Sequence, residues 1–593
     1  MVARTLITTA EENTWPKDKK KPVLFLGEWC KLYPRKNLWQ DMDAKTATYH
    51  WQDREKLIKD YGYLQDLHEN LLIKLSDSLN KIHHTNHSIR YWRILIGPWL
   101  GWFVQIVFDR WFMLNKVIHE EEVEHCIVIK RNPMDMVTND MVGFSKASIS
   151  KEVEDWNEAI YGQLLELCWQ DKIFIEKVQV QQKNKTQAID SPHSKKNFLR
   201  EKIKRLIPTF NKLFPKDNGY FFISSYLPLK TDFKLQMRLG QFPKLWKTPP
   251  TPIFKAEFNQ RKWSLSSNKL NVNSFESVIE SLIPWHIPKV YLEGYSTLIS
   301  VSEKLPWPSK PKAIFTGTLW SDTEIFKVWA AEKTESGVPL VIGQHGGHFG
   351  TSPFAFLEEH QIKIADKWIS WGWSDEYRPQ IKPIGNLKVF DLDTDYDSKG
   401  GALMVEFTIP RYSYYLYAVP ISSQFLDYFK DQEMFIKNLP KPLREKVLIR
   451  VNNNDYDWNL PSRWNDLMPE IRVDPGHQDI RNLIKKSRLY ISTYNATTYL
   501  ESMAWNIPTI IFWNEEHWEL KEDVKPYFEL LKSVGIFHNS PQSAARQMID
   551  IWDNVDDWWF SESVQKARLV FCKQFSNMPK DPLGELEMLF KSI

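Results

Sequence analysis

Two short stretches gather residues able to handle a charged, hydroxyl-rich ligand. The first runs Ser492-Thr493-Tyr494-Asn495-Ala496-Thr497-Thr498-Tyr499-Leu500-Glu501. Ser492, Thr493, Asn495 and Thr497 supply small hydroxyl and amide donors where an apolar strand pattern gives way to a helical one. A helix start presents free N–H groups and a partial positive charge, which together favour a phosphate. Glu501 falls about one turn into that helix, where a carboxylate accepts hydrogen bonds from ribose hydroxyls. Capping a helix needs one such polar residue, so the cluster reads as a nucleotide site.

The second stretch is Gln344-His345-Gly346-Gly347-His348-Phe349-Gly350. Glycines around a histidine at a strand end let backbone come close to a ligand. A histidine there can serve as base, as acid, or as donor to a phosphate oxygen. The plainer alternative is a turn carrying an exposed histidine. His345 is the catalytic candidate, and Gln344, Gly346 and Gly347 join the donor-binding set. Arg450 closes a predicted strand, where it can pair with a phosphate or sugar carboxylate or form a structural ion pair. His477, at the next predicted helix start, is a similar candidate. Glu28, after the first predicted strand, is a candidate base toward an acceptor hydroxyl.

These residues need strands that end together. Val23-Leu24-Phe25-Leu26, Ala313 to Thr316, Val338 to Ile342 and Lys367 to Ser370 read as strands, with helical stretches between the later ones. Val447 to Val451, Leu489 to Ser492 and Thr509 to Phe512 follow, alternating with helices over Gln478 to Lys486 and Thr497 to Trp505. Alternation of this kind predicts parallel α/β sheets, which bind ligands at the carboxyl ends of their strands. Ser540-Pro541 opens another helix, with serine as cap. Helical spacing also covers Trp51 to Leu79 and Lys151 to Cys168, while Gln179 to Lys196 reads as an exposed loop.

Length and composition narrow the class. A chain of 593 residues exceeds one hydrophobic core. With 77 basic and 74 acidic residues there is no electrostatic footprint for nucleic acid or for a polybasic membrane anchor. The four cysteines, Cys30, Cys126, Cys168 and Cys572, match no zinc or redox spacing, which suits reduced thiols in a cytoplasmic setting. No signal peptide pattern opens the chain. The apolar run Ile94 to Phe108 contains Pro98 and falls short of the ~20 residues of a membrane span, so it reads as a buried helix, with docking beneath a membrane as the second reading. The 27 tryptophans suit a core before they suit sugar stacking.

QHGG at 344–347, Trp371-Gly372-Trp373, Pro383-Ile384-Gly385-Asn386 and STYNATTYLES from Ser492 together resemble a transferase family of bacterial O-antigen and surface-polysaccharide loci, first defined in spirochaetes. FLGEWC at Phe25 to Cys30 and RYWRILIGPWL at Arg90 to Leu100 extend the resemblance over nearly the whole chain. More distantly, the histidine and Ser-Thr…Glu…Pro pieces resemble capsule-type Kdo transferases and the CDP-glycerol glycerophosphotransferases. The resemblance implies a GT-B-like fold: two Rossmann-like domains facing a cleft, with a helical insertion in the N-terminal half and a C-terminal helical tail. It also implies a CMP-linked ulosonic acid of the Kdo or sialic kind as donor. Gln344 departs from the glycerophosphotransferases, which carry an aromatic residue before the histidine.

The expected layout is an acceptor-side domain over 1–390, a linker over 391–402, a nucleotide-sugar domain over 403–555 and helices packing back over 556–593. The expected activity is glycosyl transfer from a nucleotide-sugar to a glycan or lipid-linked glycan acceptor, with no metal or other cofactor, in the cytoplasm or at the inner membrane face. Its rivals are a polyol-phosphate transferase and a non-catalytic sugar-binding scaffold. Asp391, Asp393, Asp395 and Asp397 contain a D-x-D pattern but follow no clear strand, and read as a solvated linker. His83, His84 and His87 lack a third ligand for zinc. No P-loop or dinucleotide glycine fingerprint is present.

Overall fold

A computed structural model describes residues 3–150, 153–180, 219–266, 271–390 and 395–593. Asp391, Asp393, the start of the helix read from Lys151 and most of the Gln179 to Lys196 loop lie outside these residues. Among the described residues there are three sheets, and every strand pair within them is parallel.

The first sheet holds β1 (Arg4–Ile7), β2 (Val23–Phe25), β3 (Ala44–Thr46), β4 (Val123–Ile129) and β5 (Phe174–Val178), in the order β3-β2-β1-β4-β5. The second holds β6 (Phe221–Phe222), β7 (Ile314–Thr316), β8 (Leu340–Gly343), β9 (Lys367–Ser370) and β10 (Ile381–Pro383), stacked in sequence order. The third holds β11 (Gly401–Val405), β12 (Val447–Arg450), β13 (Arg472–Asp474), β14 (Ser487–Ser492), β15 (Thr509–Phe512) and β16 (Phe537–His538). Its order, β13-β12-β11-β14-β15-β16, is that of a dinucleotide-type doubly wound sheet, with its switch point between β11 and β14.

The stretch 1–390 therefore carries two sheets where the sequence pattern outlined mainly the second. β1 has only four residues, and β4 begins between Glu122 and Glu124, so neither shows a clean apolar run. β11 starts at Gly401, inside the stretch read as linker.

Long helices fasten the first two sheets together. The helix Arg54–His83 is capped by the Asp53 side chain, which accepts the Lys56 N–H, and buries Leu57, Leu64, Leu71 and Leu75 along one stripe. Ile89–Glu120, capped by Ser88, is buried nearly all round and absorbs Pro98 in its interior. That is the signature of a core helix. Among the described residues no helix is long and apolar enough to cross a membrane. Twelve tryptophans, Trp29, Trp92 and Trp371 among them, are fully buried, so much of the indole content packs the core.

Polar ties cross between sheets as well. Arg110 is fully buried on the Ile89–Glu120 helix, paired with Asp109 at 2.6 Å, and donates to Ser413 Oγ in the loop after β11. The C-terminal helices Glu562–Phe575 and Pro582–Lys591 return to the second sheet. Asn577 donates its N–H to Trp371 O, and Asn386 donates its own to Asn577 O. Gly385 makes that approach feasible, since a Cβ there would lie 2.6 Å from Asn577 O. Phe590 then packs on Phe222 and Phe315 beneath the sheet.

Candidate active site

The carboxyl ends of β8 and β14 meet. β14 ends at Ser492, and five residues later the helix Thr497–Ala504 begins. Ala496 stands at its cap position with no side-chain cap, so the first N–H groups of that helix have no capping side chain. The bend preceding it is knitted into the interior. Ser492 donates to Tyr494 O at 3.2 Å. Thr493 donates to Val405 O and shares a hydrogen bond with the Tyr428 hydroxyl. Asn495 donates to Thr351 Oγ1 and accepts from the Tyr499 hydroxyl. All three residues are buried, so their polar atoms shape the bend. The groups left to meet a ligand are Thr497, which is half-buried, and the backbone N–H groups beside it.

The β8 loop packs directly on this helix start. A Cβ on Gly347 would lie 2.2 Å from Ala496 O and 2.8 Å from Thr497 N, so glycine is the residue that fits. Gln344 is buried and organises the loop from within. Its Oε1 accepts from Trp371 N–H and Trp373 Nε1–H, and its Nε2 donates to Gly346 O. Gln344 thus locks the histidine loop to the Trp371-Gly372-Trp373 turn.

His345 is half-buried, with Trp320, Tyr226 and Phe349 around its ring. Its Nδ1 has no hydrogen-bond partner. Burial, and then the Lys388 ammonium, push the imidazole down to about 4. It is neutral at physiological pH and so able to take a proton. His348 is pushed down to about 3, chiefly by burial, and packs against the Tyr417 ring. Tyr417 belongs to the long loop after β11, so that loop touches the second sheet's site.

Glu501 is buried and draws two cations toward the same place. Lys388 Nζ lies 3.4 Å from its carboxylate, and an Arg481 nitrogen lies 3.8 Å from it. Lys388 also stands 5.1 Å above the Tyr226 ring. The structure thus gathers His345, Gly347, Thr497, Glu501, Lys388, Arg481 and Tyr226 around an uncapped helix start.

Other expected residues have partners of their own. Arg450 pairs with Asp474 at 3.0 Å and donates to Gly476 O and Gln478 O, clamping the turn after β13. His477 is exposed on that turn. Glu28 pairs with Lys31 at 2.7 Å, and its N–H donates to Ser423 Oγ on the third sheet's side. None of these partners is shared with His345. His83 and His87 go separate ways, to Tyr291 O and Glu335. Among the described residues no group of three or more His, Cys, Asp or Glu side chains is placed to hold a metal.

Lys388, Arg481 and Tyr226 carried no signal in the sequence, because each stands alone among ordinary surface residues there. A further residue went unread. Glu406, at the end of β11 beside the switch point, is buried and raised to about 8 by that burial, with Trp464 Nε1–H on its Oε1. Only the strand order shows that its position lies at the crevice.

Comparison with known structures gives low-identity likenesses. The wall teichoic acid polymerase TagF is 10% identical, over 66% of this chain and 97% of its own, with a TM-score of 0.29. MurG of Acinetobacter baumannii is 11% identical, over 64% and 100%, with a TM-score of 0.32. UGT71G1 of Medicago truncatula, complexed with UDP-glucose, is 12% identical, over 65% and 99%, with a TM-score of 0.34. No curated protein matches by sequence. One family description, LIC12162 family transferase, matches residues 4–590. On that match, which spans nearly every residue, the chain belongs to the LIC12162 family of transferases.

Proposed function

We propose that the protein is a glycosyltransferase that moves a sugar from a nucleotide-activated donor, a CMP-linked ulosonic acid, to a surface-polysaccharide or lipid-linked glycan acceptor. The observation that carries this reading is the seating of Gly347 on the Ala496–Thr497 helix start, with Lys388 and Arg481 beside Glu501. A helix N-terminus flanked by two cations suits a donor whose phosphate and sugar carboxylate are both anionic. Glu501 is the group for the ribose hydroxyls.

Transfer needs a proton acceptor and a stabilised leaving group. Neutral His345 takes the proton from the acceptor hydroxyl as that oxygen bonds to the donor's anomeric carbon. The bond from that carbon to the phosphate oxygen breaks, and its electron pair leaves with the nucleotide. The helix N–H groups and Lys388 offset the charge that develops there. Gln344 positions the histidine loop from behind.

Calorimetry against CMP, CDP, UDP and GDP tests the reading. CMP preference, followed by CMP release from CMP-sugars in the presence of acceptor, is the expected result. Binding of CDP-glycerol with glycerol-phosphate transfer would replace it with the polyol-phosphate reading. Failure to bind any nucleotide would leave a sugar-binding scaffold.

A further inference from the structure

Away from the sheet ends, the stretch from Gly240 to Glu257 crosses the surface with no regular secondary structure and leads into the short helical turn Phe258–Arg261. It is held firmly nevertheless. Asn139 donates to Pro252 O and accepts the Phe254 N–H, both at 2.9 Å, so the chain is clamped on either side of Ile253. The Phe254 ring lies against Gly294, closely enough that a Cβ there would sit 2.5 Å from it. Further on, Arg261 is fully buried, pairing with Glu293 at 2.7 Å and donating to Pro284 O and Ile287 O.

What this clamped strap presents is unusual for a surface facing water. Ile253 is 89% exposed and Phe258 is 53% exposed. Lys255 and Lys262 flank them in the chain, with the carboxylate of Glu257 between, while Arg261 and Glu293 cancel each other and Glu166, at the cavity beside Phe258, pairs with Lys177. Lys262 Nζ lies 4.6 Å over the Phe258 ring. Phe258 also packs 5.4 Å from Trp285 and forms one wall of a cavity of about 600 Å³. Met134, Leu167, Leu282 and Trp285 give that cavity a mainly apolar lining.

An isoleucine held outward from both sides does not relieve its exposure by loop motion. Protruding apolar groups flanked by lysines, beside a mainly apolar cavity, match a layer whose outer zone is anionic and whose inner zone is hydrocarbon. We propose that this face docks on a bilayer containing anionic phospholipid. Ile253 and Phe258 enter the acyl region, the lysines meet the headgroup phosphates, and the cavity beside Phe258 receives an apolar chain. The docking surface stands on its own observations and holds whichever sugar the transfer site takes.

The test is co-sedimentation of the full chain with vesicles of phosphatidylcholine alone and of phosphatidylcholine with phosphatidylglycerol in equal parts. The protein is expected to bind the mixed vesicles, to be released as salt is raised, and to bind the neutral vesicles weakly. Lys255→Glu with Lys262→Glu should lower binding to the mixed vesicles by at least about 25-fold, since each lysine near such a surface is worth about fivefold. Ile253→Ser with Phe258→Ser should lower it by at least about tenfold. Both pairs are at the surface and should melt with the parent and keep its nucleotide affinity, which separates loss of docking from loss of the transfer site. Equal binding to neutral vesicles, no binding to either, or unchanged binding by both variants would overturn the proposal. So would self-association that the Ile253→Ser, Phe258→Ser variant abolishes in a chain that ignores vesicles, since the face would then belong to a second copy.

Discussion

Gly347 and Ala496 come from different sheets, yet a Cβ on the first would stand 2.2 Å from the carbonyl oxygen of the second. The histidine loop after β8 and the helix start after β14 are therefore one packed unit. The neighbouring Asn495–Thr351 hydrogen bond at 3.0 Å repeats the tie between the same two loops. The proposed transfer needs the His345 imidazole and this helix end at a fixed spacing, and this contact fixes it.

Gly347→Ala tests that spacing. The atoms in the way are backbone, so the two loops must separate rather than a side chain swing aside. Overpacking of this kind costs about 1–3 kcal/mol. The variant should fold, judged by circular dichroism, while nucleotide affinity and kcat/KM fall, the latter by about 100-fold. Parental kinetics would show that the contact is not needed for transfer.

His345→Ala should lower turnover by about 10²–10⁴-fold and affect donor affinity much less. With the imidazole held down to about 4, the rate should be level from neutral pH downward and fall only as pH approaches that value. Lys388→Met removes a cation that opposes protonation, so the acid limb should move to higher pH. A pH–rate series on the two proteins reads this directly. An unmoved acid limb would detach Lys388 from His345.

Glu406 should make the fold less stable in alkali. Its folded value, about 8, lies above the usual 4.5, because burial disfavours the charged form. The folded state then holds a proton that the unfolded state has released, so stability falls as pH rises from about 4.5 to about 8. Glu406→Gln keeps an oxygen for the Trp464 N–H and carries no charge. Denaturant titrations should find it more stable than the parent at pH 8, by on the order of 4 kcal/mol, and little different at pH 4.

Thr493 and Thr497 should part company despite standing four residues apart. Thr493→Val strips hydrogen bonds from Val405 O and Tyr428, and should cost about 1–3 kcal/mol of stability. Its nucleotide affinity, measured on the folded protein, should hold. Thr497→Ala should melt with the parent and bind nucleotide more weakly. Calorimetry and thermal melts on both decide the matter, and loss of affinity in Thr493→Val alone would return the phosphate to the bend.

Much of this protein was legible one strand at a time. The apolar runs of β8, β9, β12, β14 and β15, each stopped by polar or glycine residues, give their positions and their parallel pairing, because buried parallel strands are apolar on both faces. Ser540 ahead of Pro541 marks a helix start as expected, and the Ser540 hydroxyl accepts the Ser543 N–H. The helix beginning at Thr497 is likewise written in local residue types. Tertiary structure decided which of the polar residues at that start face inward. Ser492, Thr493 and Asn495 look the same as Thr497 along the chain, and only the packing of Val405, Tyr428 and Thr351 around them consumes their hydrogen bonds. It also decided that Lys388, more than a hundred residues before Glu501, comes to 3.4 Å from it, and that Glu28 pairs with Lys31 while its N–H reaches Ser423. The physical reason is the same throughout. Secondary structure follows from short-range spacing of apolar and polar groups, whereas a site is made by which loops the sheets bring into contact, and that depends on the whole packed core.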